Sequence, residues 1–306
     1  MAVAWIFPGQ GSQKAGMGKE LAAAFVAARR VFDEANDVLG FDLRRLCFEG
    51  PDDELQRTAN AQPALLASSI AALAAARESA GDLAAPAVVA GHSLGEFSAL
   101  VATEAIGFAD ALRLVRRRGE LMQEADPSGG MLAVMGLDAE TIARAIEGTS
   151  WVVANDNAPG QVVVSGPKAA LEQASVALTA AGAKRVLPLR VSAAFHSPAM
   201  RPVGDALAEA MTRIPFRDAR VPVVSNVDAE THIRASEFPP LLARQSYSPV
   251  RWVASVRRME GEGVSRFVEF GAGAVLAGLV RRIAPAARAV AVQDPRSLEE
   301  ATTVLR

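Results

Sequence analysis

The sequence predicts an α/β fold, in which a large domain with a mainly parallel sheet carries a small inserted α+β domain. Short apolar runs alternate with helical patterns along most of the 306 residues, and this alternation is typical of a parallel sheet that helices cover on both faces. Residues 128–191 show the order β-α-β-β-α-β, which is that of a ferredoxin-like unit. We therefore predict a discontinuous large domain, residues 1–127 and 192–306, and a small ferredoxin-like domain, residues 128–191.

The first third of the chain is predicted to hold two strands, at residues 3–7 and 88–89, with helices between them. One helix follows from the helical spacing of Leu21, Phe25, Phe32 and Leu39. Residues 42–48 and 53–58 are expected to be short helices. Pro63 is expected to begin a buried helix over 63–78, because proline fits the first position of a helix.

Residues 108–124 form the clearest predicted helix. At about 100° per residue, one apolar stripe collects every third or fourth side chain along it. Arg118 lies on the flank of this stripe, so its guanidinium must either extend to solvent or bind an anion. The spacing alone leaves both alternatives open. The stripe consists of Phe108, Leu112, Val115, Gly119 and Met122.

The remaining elements follow from the same patterns. In the small domain we predict strands at 131–137, 151–155, 161–165 and 185–189, with helices at 139–147 and 168–181. The second part of the large domain is predicted to hold helices at 200–213, 240–245 and 275–283, with strands at 221–226, 266–270 and 289–292.

Composition excludes several functional classes. A formal net charge of -2 gives no electrostatic footprint for nucleic acid or an anionic membrane. Cys47 is the only cysteine, which excludes an intramolecular disulfide and fits a reducing compartment. The N-terminus lacks a basic region, and the alanine-rich run at 64–76 is too short to span a membrane. We expect a cytoplasmic protein without a metal centre, since its three histidines are far apart in the sequence.

Gly91-His92-Ser93-Leu94-Gly95 lies between the strand at 88–89 and a helical run. A strand, a sharp glycine-flanked turn and a helix are the context of a nucleophile elbow, as in α/β hydrolases. The large domain is therefore expected to be α/β-hydrolase-like. Ser93 is the predicted nucleophile, at a helix N-terminus that favours developing negative charge.

A serine hydroxyl needs a neighbouring base to become a nucleophile. His92 adjoins Ser93, but the side chain next to the nucleophile of an elbow points elsewhere. His232 lies in a polar loop and is expected to face water. His196, in a loop after a predicted strand, is therefore the favoured base. No aspartate is placed to orient it, so a main-chain carbonyl or an amide is expected to do so.

Seven ordered segments resemble the malonyl-CoA:acyl-carrier-protein transacylase family, and the resemblance covers essentially the whole chain. Ser93 and Arg118 lie in two of them, and Gln245 stands just before another. The segments are Phe7–Gln13, Gly91–Glu96, Arg118-Gly119 with Met122-Gln123, Asn155–Gln161, Phe195–Pro198, Ser248–Trp252 and Val268–Gly271.

The resemblance implies a ping-pong acyl transfer. Ser93, activated by His196, would take a malonyl group from malonyl-CoA and pass it to the phosphopantetheine thiol of an acyl carrier protein. The main-chain N–H groups of Gln10 and Leu94 would form the oxyanion hole. Coenzyme A thioester is implied as a substrate, with no tightly bound cofactor.

The resemblance also implies how the acyl group is chosen. Arg118 would bind the malonyl carboxylate through its planar fork. Phe195 would exclude a methyl branch at the α-carbon, and the main-chain carbonyl of Gln245 would orient His196. Three other functions remain as alternatives to malonyl transfer. They are a stand-alone polyketide acyltransferase, an acyl hydrolase with a different acyl-CoA preference, and a non-catalytic docking subunit.

Overall fold

Ten strands form two separate sheets in the computed structural model, which describes residues 2–81 and 83–305. Met1, Asp82 and Arg306 belong to the predicted large domain and lie outside the described residues. In chain order the strands are β1 (Ala2–Phe7), β2 (Val88–Gly91), β3 (Gly129–Met135), β4 (Val152–Ala158), β5 (Gln161–Pro167), β6 (Arg185–Pro188), β7 (Val223–Val224), β8 (Thr231–His232), β9 (Val264–Phe270) and β10 (Arg288–Val292).

Fourteen α-helices connect the strands in the described part of the chain. They are α1 (Lys19–Ala24), α2 (Val26–Leu39), α3 (Leu43–Glu49), α4 (Asp52–Gln56), α5 (Thr58–Ala80), α6 (Gly95–Ala102), α7 (Phe108–Ala125), α8 (Ala139–Ala145), α9 (Leu171–Ala180), α10 (Arg201–Met211), α11 (Phe238–Gln245), α12 (Trp252–Gly261), α13 (Val275–Ile283) and α14 (Pro295–Leu305).

The larger sheet has the strand order β10-β9-β1-β2-β7-β8 and is parallel except for the antiparallel β7–β8 edge. In the central strand β1, Trp5 and Phe7 pack into one apolar core, while Ala4 and Ile6 pack into a second core. Successive side chains of a strand point to opposite faces, so an uninterrupted apolar run belongs in a sheet that is covered on both sides. The prediction of an α/β fold with a mainly parallel sheet is confirmed.

The smaller sheet has the order β4-β5-β3-β6, and its strand pairs are antiparallel. Helices α8 and α9 cover it, with Leu132, Ile142, Val164 and Leu178 in a core of its own. The chain order β3-α8-β4-β5-α9-β6 matches the predicted ferredoxin-like order. The boundaries of the inserted domain at residues 128 and 191 stay a prediction.

Two helix predictions were wrong in their boundaries. The predicted helix through Leu21 and Leu39 is divided into α1 and α2, because Phe25 between them is extended (φ −123°, ψ 127°). Pro63 does not begin its helix; α5 begins at Thr58 and carries the proline inside. A proline has no N–H for the carbonyl four residues before it, and the Ala59 carbonyl instead accepts a 3.1 Å hydrogen bond from Arg116 Nη1.

The α5 helix is therefore longer than the predicted one. It is the one helix in the described residues whose length and composition would allow it to cross a membrane, and 83% of its apolar window is buried inside the protein. Ala64, Leu65, Ala71 and Ala72 are fully buried in the main core. This is the packing of a core helix.

Further differences lie in the second part of the large domain. The strand predicted over 221–226 is only Val223–Val224. The edge strand β8 and the helices α12 and α14 were not predicted at all. Leu298 and Val304 of α14 are buried against the main core, so this helix covers an end of the sheet.

Candidate active site

Ser93 lies in the sharp turn between β2 and α6, with a positive φ of 50°. A residue other than glycine adopts this conformation only where its surroundings hold it there. A Cβ at Gly91 would overlap the main chain of Gly95, and a Cβ at Gly95 would overlap the Phe7 carbonyl. The two glycines are thus required by close main-chain contacts, and the turn has the geometry of a nucleophile elbow.

His196 lies next to the Ser93 hydroxyl. Its Nε2 is 2.8 Å from Ser93 Oγ, and its Nδ1 is 2.9 Å from the Gln245 carbonyl oxygen and 3.2 Å from that of Ser248. Carbonyl oxygens only accept, so Nδ1 carries the proton and Nε2 is free to accept from Ser93. Burial and the positive charge of Arg118 lower the pKa of His196 to about 3. The imidazole is therefore neutral at physiological pH, as a general base must be.

Arg118 is buried, with 1% of its surface exposed, so it does not extend to solvent. Its Nη1 donates to Gln62 Oε1 at 2.9 Å, and its Nη2 donates to Ser93 Oγ at 3.2 Å and Gln245 Oε1 at 3.0 Å. Burial lowers its pKa to about 10, so the guanidinium remains charged at neutral pH. A buried cation beside the serine hydroxyl is a site for an anionic group.

A cavity of about 320 Å³ opens above Ser93, His196 and Arg118. One side is lined by the first loop and the elbow, including Gln10 and Leu94. Phe195 also lines it and is 6% exposed. Further lining residues come from the part of the chain that holds the smaller sheet. They are Met131, Asn155, Asn157, Val163, Leu189, Arg190 and Val191.

The main-chain N–H groups of Gln10 and Leu94 donate to no protein acceptor among the described residues. The Gln10 side chain donates to Thr58 Oγ1 at 3.2 Å, which holds the loop after β1 in place. Leu94 immediately precedes α6, where the helix dipole adds positive potential. The arrangement can accommodate an oxyanion at the cavity surface.

Gln245 is fully buried and is not among the residues that line the cavity. Its carbonyl faces His196, while its side chain contacts Arg118 and donates from Nε2 to the Ser93 carbonyl at 2.9 Å. The side-chain contacts were not foreseen. Gln245 therefore lies behind the reacting groups and joins three of them.

Three further polar residues of the site were missed from the sequence: Gln62, Glu96 and Asn226. All three are buried, with at most 3% of their surface exposed. Asn226 Oδ1 accepts from the Ser93 N–H at 2.6 Å, and Glu96 Oε2 accepts from Gln245 Nε2 at 2.7 Å. In the sequence, each of the three stands as a polar residue within a largely apolar run. That pattern indicates a buried polar group but not which residues it contacts.

The other reactive side chains make no hydrogen bond with Ser93, His196 or Arg118 among the described residues, although His92 lines the same cavity. His92 Nε2 is 2.7 Å from Asn157 Oδ1, and its ring packs near Trp252, with a centroid distance of 5.7 Å. The expectation that His232 faces water was wrong. It is half-buried between the carboxylates of Asp228 and Glu237, at 3.3 and 3.4 Å, because the β7–β8 pairing folds its loop back.

Cys47 is buried, and burial raises the pKa of its thiol, so it is no nucleophile at neutral pH. Within residues 2–81 and 83–305, no group of three or more His, Cys, Asp or Glu side chains is placed to hold a metal ion.

Comparison with known proteins gives a consistent result. Residues 4–293 match the acyl transferase domain family. The malonyl CoA-acyl carrier protein transacylase of Bacillus subtilis (strain 168) is 45% identical over 311 residues, covering 99% of this chain and 97% of that protein. The corresponding Salmonella typhimurium protein is 46% identical over 306 residues and 98% of each chain.

Solved structures of related proteins match the fold of this chain over nearly its whole length. A malonyl-transacylase in complex with a type II PKS acyl-carrier protein superposes with a TM-score of 0.95 at 45% identity, over 99% of this chain and 100% of that one. The acyl-carrier-protein-S-malonyltransferase of Bartonella henselae gives a TM-score of 0.96 at 40% identity, over 100% and 99%. The chain belongs to the malonyl CoA-acyl carrier protein transacylases of the acyl transferase domain family.

Proposed function

We propose that this protein transfers a malonyl group from malonyl-CoA to the phosphopantetheine thiol of an acyl carrier protein, through an ester on Ser93. One observation carries the proposal. Ser93 Oγ lies 2.8 Å from a neutral histidine and 3.2 Å from a buried arginine in a single cavity. The histidine supplies a base for the serine, and the arginine supplies a partner for the free carboxylate of a dicarboxylic acyl group.

In the first half-reaction, His196 Nε2 accepts the Ser93 proton while Oγ attacks the thioester carbonyl. The N–H groups of Gln10 and Leu94 stabilise the oxyanion of the tetrahedral intermediate, and one such donor typically contributes ~10²–10³ in rate. The intermediate collapses by breaking the carbon–sulfur bond. His196 returns its proton to the departing coenzyme A thiolate, and the malonyl ester stays on Ser93.

In the second half-reaction, the pantetheine thiol of the carrier protein gives its proton to His196 and attacks the ester. The carbon–oxygen bond then breaks, and Ser93 recovers the proton from His196. Coenzyme A thioester is a substrate throughout, and we propose that no tightly bound cofactor takes part. We also propose a cytoplasmic protein that binds neither nucleic acid nor membrane.

Substrate choice is assigned to Arg118 and Phe195. The Arg118 fork binds the malonyl carboxylate, and an acetyl group would leave this buried cation without an anionic partner. Phe195 lines the cavity, directly before His196 in the chain, and limits branching at the α-carbon. One methyl group is worth only ~1–3 kcal/mol in such a pocket, so branched substrates are disfavoured and not forbidden.

The cleft between the predicted large and small domains is the proposed route for both substrates. The relatives support this function, since malonyl CoA-acyl carrier protein transacylases match 98–99% of this chain. One solved relative is complexed with a type II PKS acyl-carrier protein. The carrier of this protein is accordingly proposed to serve fatty-acid or polyketide synthesis.

The test is intact-mass detection of the acyl-enzyme across a panel of acyl-CoAs, with and without a phosphopantetheinylated carrier protein. We expect a malonyl adduct that persists alone and moves to the carrier when it is added. Rapid loss of the adduct to water, with no acylated carrier, would show an acyl hydrolase. No adduct with any acyl-CoA would show a non-catalytic subunit.

A further inference from the structure

The strained main chain of Ser93 is held on both sides. Its N–H donates to Asn226 Oδ1 at 2.6 Å, and its carbonyl accepts from Gln245 Nε2 at 2.9 Å. Asn226 Nδ2 also donates to the Gly91 carbonyl at 2.6 Å, so the same amide spans the turn. These two amide side chains keep Ser93 in its positive-φ conformation.

Both amide residues converge on one carboxylate oxygen. Glu96 Oε2 accepts from Gln245 Nε2 at 2.7 Å and from the Asn226 main-chain N–H at 3.1 Å. Glu96 is the second residue of α6, and only 3% of its surface is exposed. Burying a carboxyl group is unfavourable unless it has partners, and here its partners are the residues that hold the nucleophile.

The Glu96 carboxylate also decides which end of the Gln245 amide faces Arg118. Glu96 Oε2 already accepts the Asn226 main-chain N–H, so this oxygen acts as an acceptor and Gln245 turns its NH₂ group towards it. Its carbonyl oxygen Oε1 is then left to accept from Arg118 Nη2 at 3.0 Å. A guanidinium only donates, so the reverse orientation of the amide would place donor against donor.

We propose that Glu96 is a positioning residue for acyl transfer, acting through Gln245 to hold the Arg118 guanidinium towards the substrate carboxylate. This inference rests on the proposed function. Glu96 also supplies a negative charge that favours the charged form of Arg118. Burial raises the pKa of Glu96 to about 7, and the bonds from Gln245 and Asn226 oppose that rise.

Glu269 provides a matched control for a buried carboxyl group. It is fully buried on β9 and accepts main-chain N–H bonds from Leu276 and Ala277 at 3.1 and 2.8 Å. Burial raises its pKa to about 7 as well. It does not line the cavity, and its hydrogen bonds in the described part of the chain go to Leu276 and Ala277, not to Gln245 or Arg118. Its replacement therefore tests the loss of a buried carboxyl group alone.

The experiment compares Glu96→Gln with Glu269→Gln by measuring kcat/KM for malonyl-CoA and acetyl-CoA. In Glu96→Gln, the new side chain can present its NH₂ group to Gln245. The Gln245 amide would then turn over and present its own NH₂ group to Arg118. We expect the malonyl-to-acetyl ratio to fall about 10- to 100-fold, the effect of losing one charge-assisted hydrogen bond. We expect Glu269→Gln to keep the wild-type ratio. If Glu96→Gln lowers kcat/KM by the same factor for both substrates, as a smaller fraction of folded enzyme would, the proposal is overturned.

A double-mutant cycle with Gln245→Met tests the route. This substitution removes the side-chain amide and keeps the main-chain carbonyl that faces His196. If Glu96 acts through Gln245, Glu96→Gln changes the substrate ratio less than about 2-fold in the Gln245→Met background. A full, additive effect there would overturn the route through Gln245.

Two results keep the test decisive. If Glu96→Gln does not fold, Glu96→Asp and Glu269→Asp are compared in the same way, because aspartate keeps the charge and withdraws it by one methylene. A lower ratio only in Glu96→Asp supports the proposal, and equal ratios overturn it. Absence of malonyl transfer by the wild-type protein would instead refute the proposed function itself.

Discussion

Replacement of Arg118 by alanine is expected to remove the preference for a dicarboxylic acyl group. The guanidinium is buried, and removing one partner of a buried ion pair costs ~3–5 kcal/mol. Malonyl-CoA should therefore lose roughly 100- to 4,000-fold in kcat/KM, since ~1.4 kcal/mol corresponds to a factor of ten. Acetyl-CoA makes no ion pair with Arg118, so it should lose less than about 10-fold, from the contact of Nη2 with Ser93 Oγ.

The assay is steady-state transfer from each acyl-CoA, normalised to the fraction of enzyme that is folded. This normalisation matters because Arg118→Ala leaves the Gln62 and Gln245 side-chain oxygens without their donor, at ~1–3 kcal/mol of stability each. Arg45→Ala is the control, since Arg45 is an exposed arginine with 75% of its side chain accessible. A parallel loss for both substrates in Arg118→Ala would refute the assignment and leave Arg118 a structural role.

Two further predictions concern the frame of the site. Gly91→Ala places a Cβ on the main chain of Gly95, so we expect a loss of at least ~3 kcal/mol in unfolding free energy. The measurement is the midpoint of denaturant unfolding. A midpoint within error of wild type would contradict the close packing of the elbow. Burial raises the pKa of Glu269 to about 7 from 4.5, so the folded protein binds this proton more tightly than the unfolded chain. That stabilisation is complete below pH 4.5 and is lost as the pH rises to 7. The unfolding free energy of Glu269→Gln relative to wild type should then increase by roughly 3 kcal/mol across this window. A constant difference would contradict the raised pKa of Glu269.

The parts of the site that local sequence rules determine were predictable. A nucleophile elbow needs glycine on both sides of the serine, and Gly91 and Gly95 occupy close main-chain contacts that a side chain would fill. The place of Arg118 on the edge of an apolar stripe left solvent and an anion both open as partners, and only the fold shows that it faces Ser93. The alternation of apolar runs likewise predicted the parallel sheet.

Other parts depend on contacts between distant segments, which periodicity does not report. Glu96 meets the Asn226 main chain 130 residues away, and Gln62 meets Arg118 across 56 residues. Pro63 lies inside α5 because Arg116, in another helix, supplies the donor that proline lacks. The helix start predicted at Pro63 was wrong, and Glu96 and Gln62 were missed, because the partner that decides each case lies far away in the sequence.

The central claim is that Ser93 carries the acyl group, and the most direct measurement is the intact mass of Ser93→Ala after incubation with malonyl-CoA. His196 and Arg118 keep their other hydrogen bonds in this variant, so the cavity is preserved. We predict a malonyl adduct on the wild-type protein and none on Ser93→Ala. A malonyl adduct of equal yield on Ser93→Ala would contradict the account.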